Sequence, residues 1–371
     1  MSGKMNVGIV GYRGLVGSVL LARMAQENDF EAINTTLLST SQAGEKGPLV
    51  GGRQTILGDA GDMETLAGLD VILSAQGSDY TKKIHPRLRA NGWAGYWIDS
   101  ASALRYKDSS VLVLDPLNRE VIDRALEGGK KDFIGANCTT ATMLIGLAGL
   151  FKARLVETAN PSTYQAVSGA GARKIAETLS QMKVIPYDPN DGVLTMLDKV
   201  QDYLSAGGLE TAEFGAPIAG NVIPLIDDLL ETAQSREEWK AGVETRKILG
   251  NNDLIVDGTC VRVASLRSHA QVVNLKLTED LPIEEIRRQV AEANQWVDCV
   301  PDDPQQIKSR LTPLAVSGSL TIAVGRLRKL ANGPKYVTAF VVGDQLLWGA
   351  AEPLRRMLRI VAAGKVTSGK T

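Results

Sequence analysis

Residues 133–136 read as a buried strand and residues 141–151 as an apolar helix. The string Gly135-Ala136-Asn137-Cys138-Thr139-Thr140 between them therefore puts the Cys138 thiol at a helix N-terminus. There the helix dipole and free N–H groups favour a thiolate and can hold the oxyanion that forms when a carbonyl is attacked. This is a covalent nucleophile's position. Cys260 and Cys299 each sit inside apolar strand-like runs and read as small buried hydrophobes. Three scattered cysteines without a CxxC pair make neither a disulfide framework nor a zinc site, and no metal is expected. A cysteine nucleophile needs a base, and the chain has only two histidines. His269 lies in a polar strand where alternation puts it on one face with Arg267, whereas His85 precedes Pro86 in a surface-like helix and reads as solvated. His269 is the preferred base.

A second constellation lies at the start of the chain. Gly8-Ile-Val-Gly11-Tyr-Arg-Gly14-Leu-Val-Gly17 falls where a strand (residues 6–10) passes into a helix (residues 15–24). Backbone N–H groups and a helix dipole receive a pyrophosphate in that setting. The spacing is GxxGxxG rather than GxGxxG, so a tight turn without ligand stays open beside the dinucleotide reading. After the second strand, residues 35–40, an NAD site carries an acid for the ribose 2′-hydroxyl. This chain has Ser39-Thr40-Ser41-Gln42 instead, with Arg13 in the glycine loop. That favours the 2′-phosphate of NADP, although Ser and Thr also suit a plain turn.

These groups need a frame. Buried-strand candidates at 70–74, 96–99, 111–114 and 133–136, separated by helical patterns such as 79–90 and 119–127, extend the opening βαβ unit into a doubly wound parallel sheet, an α/β Rossmann-like domain. Beyond Cys138, strand-like segments at 157–167, 254–266 and 270–277 predict an α+β second domain with a largely antiparallel sheet. Residues 207–221 read as a long loop, and Ser235 with Glu238 as a capping box opening a helix over 235–249. Residues 344–363 predict a helix that packs back onto the first domain, kinked at Pro353 and followed by a frayed tail over 364–371.

Length and charge agree with this plan. A chain of 371 residues predicts two compact units. Its 41 basic residues nearly cancel 42 acidic ones, so no global field draws it to nucleic acid or an anionic membrane, and a small-molecule partner follows. The longest apolar run, residues 143–151, is nine residues, against roughly 20 for a membrane-spanning helix. The N-terminus enters the glycine turn without a secretory h-region. A cytoplasmic protein is expected.

Seven strings, GYRGLVGS, SAQGSDYT, GANCTT, TYQAVSGAGAR, QSREEWKAGVETRKIL, CVRVASLRSHAQ and GDQLLWGAAEPLRRML, occur in this order over nearly the whole chain. Together they resemble the aspartate-semialdehyde dehydrogenases of the bacterial type. That family reduces β-aspartyl phosphate with NADPH to aspartate semialdehyde and phosphate, on the route to lysine (through diaminopimelate), threonine and methionine. The resemblance implies that Cys138 forms an acyl thioester, that His269 is the acid/base, and that Gln165 orients the intermediate. It implies Arg262 for the substrate α-carboxylate, Glu244 for its ammonium, and Arg105 and Lys247 for the phosphate. Gly11, Arg13, Gly14, Leu15, Val16, Thr40, Ser41, Gln76, Ser168, Gly169 and Gln345 match cofactor-contact positions.

The resemblance further implies an NADP-binding domain over residues 1–137, completed by a C-terminal helix 352–371, and a catalytic and dimerisation domain over 138–351 that joins a homodimer. Residues 185–202 depart most from the family strings and carry no assignment. N-acetyl-γ-glutamyl-phosphate reductases share the fold, the thiol and the acyl-phosphate chemistry, but act on an acylated amine; a carboxylate for a free ammonium, such as Glu244, separates the two. A non-catalytic NADP-binding regulator is the reading from another class, and the thiol, imidazole and phosphate cations together speak against it.

Overall fold

A computed structural model describes residues 4–368 of the chain, and side chains through residue 364. The first sheet has seven strands, all paired in parallel, in the order Gly58–Asp59, Ile33–Ser39, Met5–Val10, Val71–Ser74, Tyr96–Asp99, Asp132–Gly135, Ser110–Val113. Val71–Ser74, Ser110–Val113 and Asp132–Gly135 are buried at every position. A parallel sheet covered on both faces requires such continuous apolar runs, which is why four-residue segments stand out in the sequence. Strand order reverses between Met5–Val10 and Val71–Ser74, and the carboxyl ends of these two strands flank the crevice where open parallel sheets bind ligands.

The C-terminal helix Glu352–Ser368 completes this layer. Leu354, Met357, Leu358 and Val361 join the core formed by Ile9, Leu20, Ile98 and Phe133. Arg355, buried between Asp29 and Glu352, and Arg356, paired with Asp115, pin the helix electrostatically. The kink expected at Pro353 takes another form. A π-helical turn, Leu347–Ala351, leads into the α-helix at Glu352, so Pro353 stands in its first turn, where no intrahelical donor is missed. The helix continues to Ser368, which corrects the expected fraying from Gly364; residues 369–371 of that tail lie outside the described residues.

The second sheet runs in the order Val222–Ile223, Thr259–Val263, Val156–Gln165, His269–Leu277, Tyr336–Gly343, Ile322–Lys329, Val297–Cys299, with Ile255–Val256 beside Val156–Gln165. Its long central pairings are antiparallel, while Thr259–Val263 runs parallel to Val156–Gln165 and Val297–Cys299 parallel to Ile322–Lys329, so the sheet is mixed. Helix Cys138–Gly146, buried along nearly its whole length, leaves the first sheet and packs on this second one, with Gly146 against Val341, Ile322 and Val324. The nucleophile is thereby placed at the junction of the two layers. Helix Arg236–Leu249 opens with the expected Ser235–Glu238 capping box, and residues 207–221 hold no helix or strand. Among the described residues no helix is long and apolar enough to cross a membrane.

His85 is a correction. It is 7% exposed, not solvated: its Nε2 lies 2.9 Å from Asp132 Oδ1 and its ring meets Trp97 edge-on. The imidazole serves the core of the first domain.

Candidate active site

Strand Asp132–Gly135 delivers Asn137 and Cys138 to the start of helix Cys138–Gly146. The Asn137 side chain accepts from the N–H groups of Thr139 and Thr140, at 3.0 and 3.2 Å, and so caps the helix. Cys138 Sγ lies 3.3 Å from His269 Nε2, and His269 Nδ1 accepts the Ala166 N–H at 3.0 Å. An imidazole that accepts at Nδ1 carries its proton on Nε2, facing the sulfur. His269 opens strand His269–Leu277 after Ser268, whose backbone is in the left-handed region at φ +71°. Ser268 is held there by its N–H to Gln345 Oε1 (2.8 Å) and its hydroxyl on Ser317 Oγ (2.7 Å). Gly349 backs the thiol so closely that a Cβ there would fall 2.3 Å from Cys138 Cβ.

The electrostatics correct one expectation. Burial pushes the Cys138 thiol up to about 12, with Glu237 adding to the rise, while Arg105, Arg262 and Lys240 pull the other way. Burial holds the His269 imidazole well below its usual value, and the Arg262 charge adds to that. These shifts favour a neutral thiol and a neutral imidazole over the thiolate expected from the helix start.

Cys138 opens into a cavity of about 600 Å³, also lined by Gln165, Arg105, Arg262, Glu237 and Lys240. Gln165 donates toward Thr163 Oγ1 and Glu237 Oε1, and Arg262 Nη1 donates to Ala166 O at 2.7 Å. Arg105 gives one Nη1 bond to Glu244 and one Nη2 bond to Ser100 O, leaving its buried Nε without a protein partner. Ser168, Gly169, Gln345 and Val16 line the same cavity, and Gln345 Nε2 donates to Ser168 Oγ.

Glu244 and Lys247 do not line this cavity. Glu244 is fully buried and accepts from Arg105 Nη1 (3.2 Å), Tyr106 Oη (2.9 Å) and the Asn137 N–H (2.5 Å). Lys247 Nζ donates to the carbonyls of Arg105 and Lys107 at 2.7 and 2.8 Å. Neither side chain reaches the cavity that holds the thiol, so these two positions are corrected as direct substrate contacts. Glu237 and Lys240 stand seven residues earlier on the same helix with the same spacing, 2.9 Å apart, and both face the cavity. Seven residues are two turns, about 10 Å along one helix face, so sequence spacing could not separate the pairs. The capping box was the available signal, because it places Glu237 in the first turn, at the mouth of the site.

A second cavity, about 400 Å³, opens at the reversal of the first sheet and is lined by Gly11, Arg13, Gly14, Thr40 and Gln76 among others. Gly11 has φ +81°, and a Cβ on it would meet the Ala75 carbonyl carbon at 2.5 Å. Helix Leu15–Gln26 starts with no side-chain cap, so its N–H groups remain for a phosphate. Arg13 donates to Ser41 Oγ at 3.1 Å and to Gln42, gathering a cation and hydroxyls beside Thr40. These residues fit a phosphorylated dinucleotide.

Comparison with known proteins agrees. Residues 6–125 match the semialdehyde dehydrogenase NAD-binding domain, and residues 147–348 the semialdehyde dehydrogenase dimerisation domain. The solved aspartate semialdehyde dehydrogenase of Francisella tularensis is 43% identical, with 96% of this chain and 99% of that one covered and a TM-score of 0.94. The chain belongs to the aspartate-semialdehyde dehydrogenase family. As a member it is a phosphorylating aldehyde dehydrogenase with a nicotinamide-dinucleotide-binding domain. Aspartate semialdehyde dehydrogenase II of Vibrio cholerae, solved in complex with ASA, is 25% identical with full coverage of both chains and a TM-score of 0.78. The Candida albicans enzyme, solved with NADP, is 18% identical over 98% of this chain and 99% of that one (TM-score 0.67) and shares the fold.

Proposed function

We propose that this protein reduces β-aspartyl phosphate with NADPH to L-aspartate 4-semialdehyde and phosphate, supplying lysine, threonine and methionine synthesis in the cytoplasm. The observation that carries the reading is the Cys138–His269 pair at 3.3 Å, opening into a cavity that also presents Arg105, Arg262, Glu237 and Lys240. Two guanidiniums and an ammonium suit a substrate bearing both a carboxylate and a phosphate. Glu237 suits its free ammonium, which an N-acetylated substrate lacks.

The chain's own residues divide the work. The Cys138 sulfur attacks the acyl carbon, its S–H proton passes to the leaving phosphate oxygen as the C–O bond to phosphate breaks, and a thioester remains on Cys138. Arg105 and Lys240 receive the departing phosphate. Arg262 and Glu237 fix the α-carboxylate and α-ammonium, and Gln165 orients the acyl group. NADPH, when bound, supplies the hydride. His269 Nε2–H, facing the sulfur, donates a hydrogen bond to the thiolate that forms as the tetrahedral adduct collapses and the semialdehyde leaves, and the thiol regains its proton from water.

Arg13, Thr40, Ser41 and Gln76 with the Gly11–Gly14 turn hold the adenosine and phosphate end, with Arg13 and Ser41 on the 2′-phosphate. Leu15 opens the helix beneath it, and Val16, Ser168, Gly169 and Gln345 surround the nicotinamide end. The likeness to the Candida enzyme solved with NADP supports that choice. Residues 1–137 with the C-terminal helix form the cofactor domain, and residues 138–351 the catalytic one. A second copy covers Tyr187, Leu194 and Leu197, which are 71%, 76% and 59% exposed in the single chain, giving a homodimer. The test is oxidation of NADPH by purified protein on addition of β-aspartyl phosphate, against N-acetyl-γ-glutamyl phosphate. No turnover with the first, or preference for the second, overturns the reading.

A further inference from the structure

The helix Arg236–Leu249 carries two carboxylates and two ammoniums beside the site, Glu237 with Lys240 and Glu244 with Lys247, and the second pair does not line the cavity that holds Cys138. Glu244 is 0% exposed, yet its three donors come from two different parts of the site: Arg105 and Tyr106 from the turn after strand Tyr96–Asp99, and the backbone N–H of Asn137 from the nucleophile's own cap. One turn further on, Lys247 grips the same Arg105 by its carbonyl oxygen, at 2.7 Å. Arg105 is thus fixed at its side chain and at its main chain by a single helix. Asn137 is fixed there too, its N–H by Glu244 and its side-chain amide by Glu237 at 2.8 Å.

We infer that Glu244 and Lys247 are positioning residues, a clamp that aims the Arg105 guanidinium at the phosphate and registers it against Cys138. The inference rests on the proposed role of Arg105 as phosphate ligand. Tethering one Nη to Glu244 and the other to Ser100 O leaves Nε without a protein partner and one N–H unused on each Nη, and the guanidinium so held lines the cavity where it can donate to the anion. A guanidinium left to swing would have to be ordered anew each time phosphate bound, and that ordering weakens affinity. A carboxylate beside a phosphate-binding arginine opposes the anion by charge, so a purely electrostatic view predicts tighter phosphate binding when it is removed. The clamp predicts the reverse.

The experiment measures inorganic phosphate binding to the purified, NADP-saturated protein by calorimetry, and separately the KM values for phosphate, aspartate semialdehyde and NADP in the phosphate-dependent oxidation. Glu244→Gln and Lys247→Met should weaken phosphate binding about tenfold, as expected for a lost preorganising contact. The KM values for semialdehyde and NADP should stay within about threefold, a split that general loosening of the fold would not give. Tyr106→Phe, at a position 37% exposed, removes one donor to Glu244 and should weaken phosphate binding about threefold, so a failure of Glu244→Gln to fold does not remove the test. Unchanged or tighter phosphate binding in these variants, or a parallel rise of all three KM values, overturns the clamp. If the wild type binds no phosphate, the clamp is also overturned. If it binds phosphate and the variants lose it while no protein turns over aspartate semialdehyde, the clamp stands and the functional reading falls.

Discussion

His269 presents Nε2 to Cys138 Sγ at 3.3 Å while its other nitrogen is already taken by the Ala166 N–H at 3.0 Å. A doubly protonated ring would turn Nδ1–H against that N–H, so the backbone itself opposes an imidazolium. That contact favours a neutral thiol beside a neutral imidazole over a thiolate–imidazolium pair. The raised thiol and lowered imidazole share one main cause, desolvation by the surrounding protein.

Alkylation should report this. In the protein without substrate, inactivation by iodoacetamide should accelerate with pH through and beyond 9.0, the usual thiol value, because the Cys138 thiol is pushed up to about 12. A reactive thiolate–imidazolium pair would instead give a rate plateau reaching down to about pH 6, below the ordinary histidine value. A plateau in that range would sink the neutral-pair assignment.

The three thiols should separate cleanly on substitution. Cys138→Ala should lower turnover by roughly a thousandfold or more, since no other nucleophile reaches the acyl carbon. Cys260, 3% exposed on strand Thr259–Val263, should cost only about 1 kcal/mol of stability when cut to Ala, with kcat intact. Cys299, half-buried on the edge strand Val297–Cys299, should cost less. Denaturant midpoints beside kcat for all three variants make the comparison.

What the sequence disclosed depended on where each segment is satisfied. The first sheet was legible because its strands are buried on both faces, so Val71–Ser74 and Tyr96–Asp99 stand out as apolar runs between helical patterns. The hairpin Lys46–Val50 with Arg53–Ile56 was not, because it is largely exposed and has no apolar alternation, although its Gly51-Gly52 turn was a usable signal. Helix Val193–Ser205 buries none of its residues within the chain, so its apolar positions Val193, Leu194 and Leu197 match no core face of the fold that the sequence pattern could point to. At the site, Cys138 and His269 could be picked by residue type and scarcity. Glu237 and Lys240 could not be told from Glu244 and Lys247, because helical periodicity repeats after two turns. The Ala166 N–H, a backbone donor, leaves no trace in side-chain chemistry.

Arg13 should decide between the two dinucleotides. It donates to Ser41 and Gln42 where an acid would otherwise meet the ribose. Arg13→Ala should lower kcat/KM for NADPH about ten- to a hundredfold, the worth of one charge-assisted hydrogen bond, and leave kcat/KM for NADH within about threefold. Equal losses with both cofactors would move Arg13 off the 2′-phosphate.

Glu237 should show two effects of opposite sign. As the carboxylate in the cavity, its replacement in Glu237→Gln should raise KM for aspartate semialdehyde about tenfold or more. Its charge also helps hold the Cys138 thiol up, so the same variant should be alkylated faster than wild type at a fixed pH below that thiol's titration. Weaker substrate binding together with a more reactive thiol identifies Glu237 as the ammonium partner. A variant that keeps its KM for semialdehyde would return that role to an unidentified group.

Arg262 offers the sharpest separation of charge from geometry. Its Nη1 donates to Ala166 O at 2.7 Å while the residue lines the cavity, so one side chain both fixes the turn after strand Val156–Gln165 and faces the space proposed for the substrate carboxylate. Lysine keeps the charge that holds the His269 imidazole down, and its ammonium can donate to Ala166 O, but it has no planar fork for two further bonds to a carboxylate. Arg262→Lys should therefore lose roughly 1.5 to 3 kcal/mol of transition-state binding, which an RT of about 0.59 kcal/mol converts to about a ten- to hundredfold drop in kcat/KM for aspartate semialdehyde. NADPH affinity, read by fluorescence titration, should stay within about threefold, because the glycine turn and Arg13 belong to the other sheet. A full kcat/KM in the lysine variant would make Arg262 a structural tie to Ala166 alone. A parallel loss of NADPH binding would mean instead that the turn carrying Ser168 and Gly169 moved with it, and that the guanidinium acts through the cofactor site rather than on the substrate.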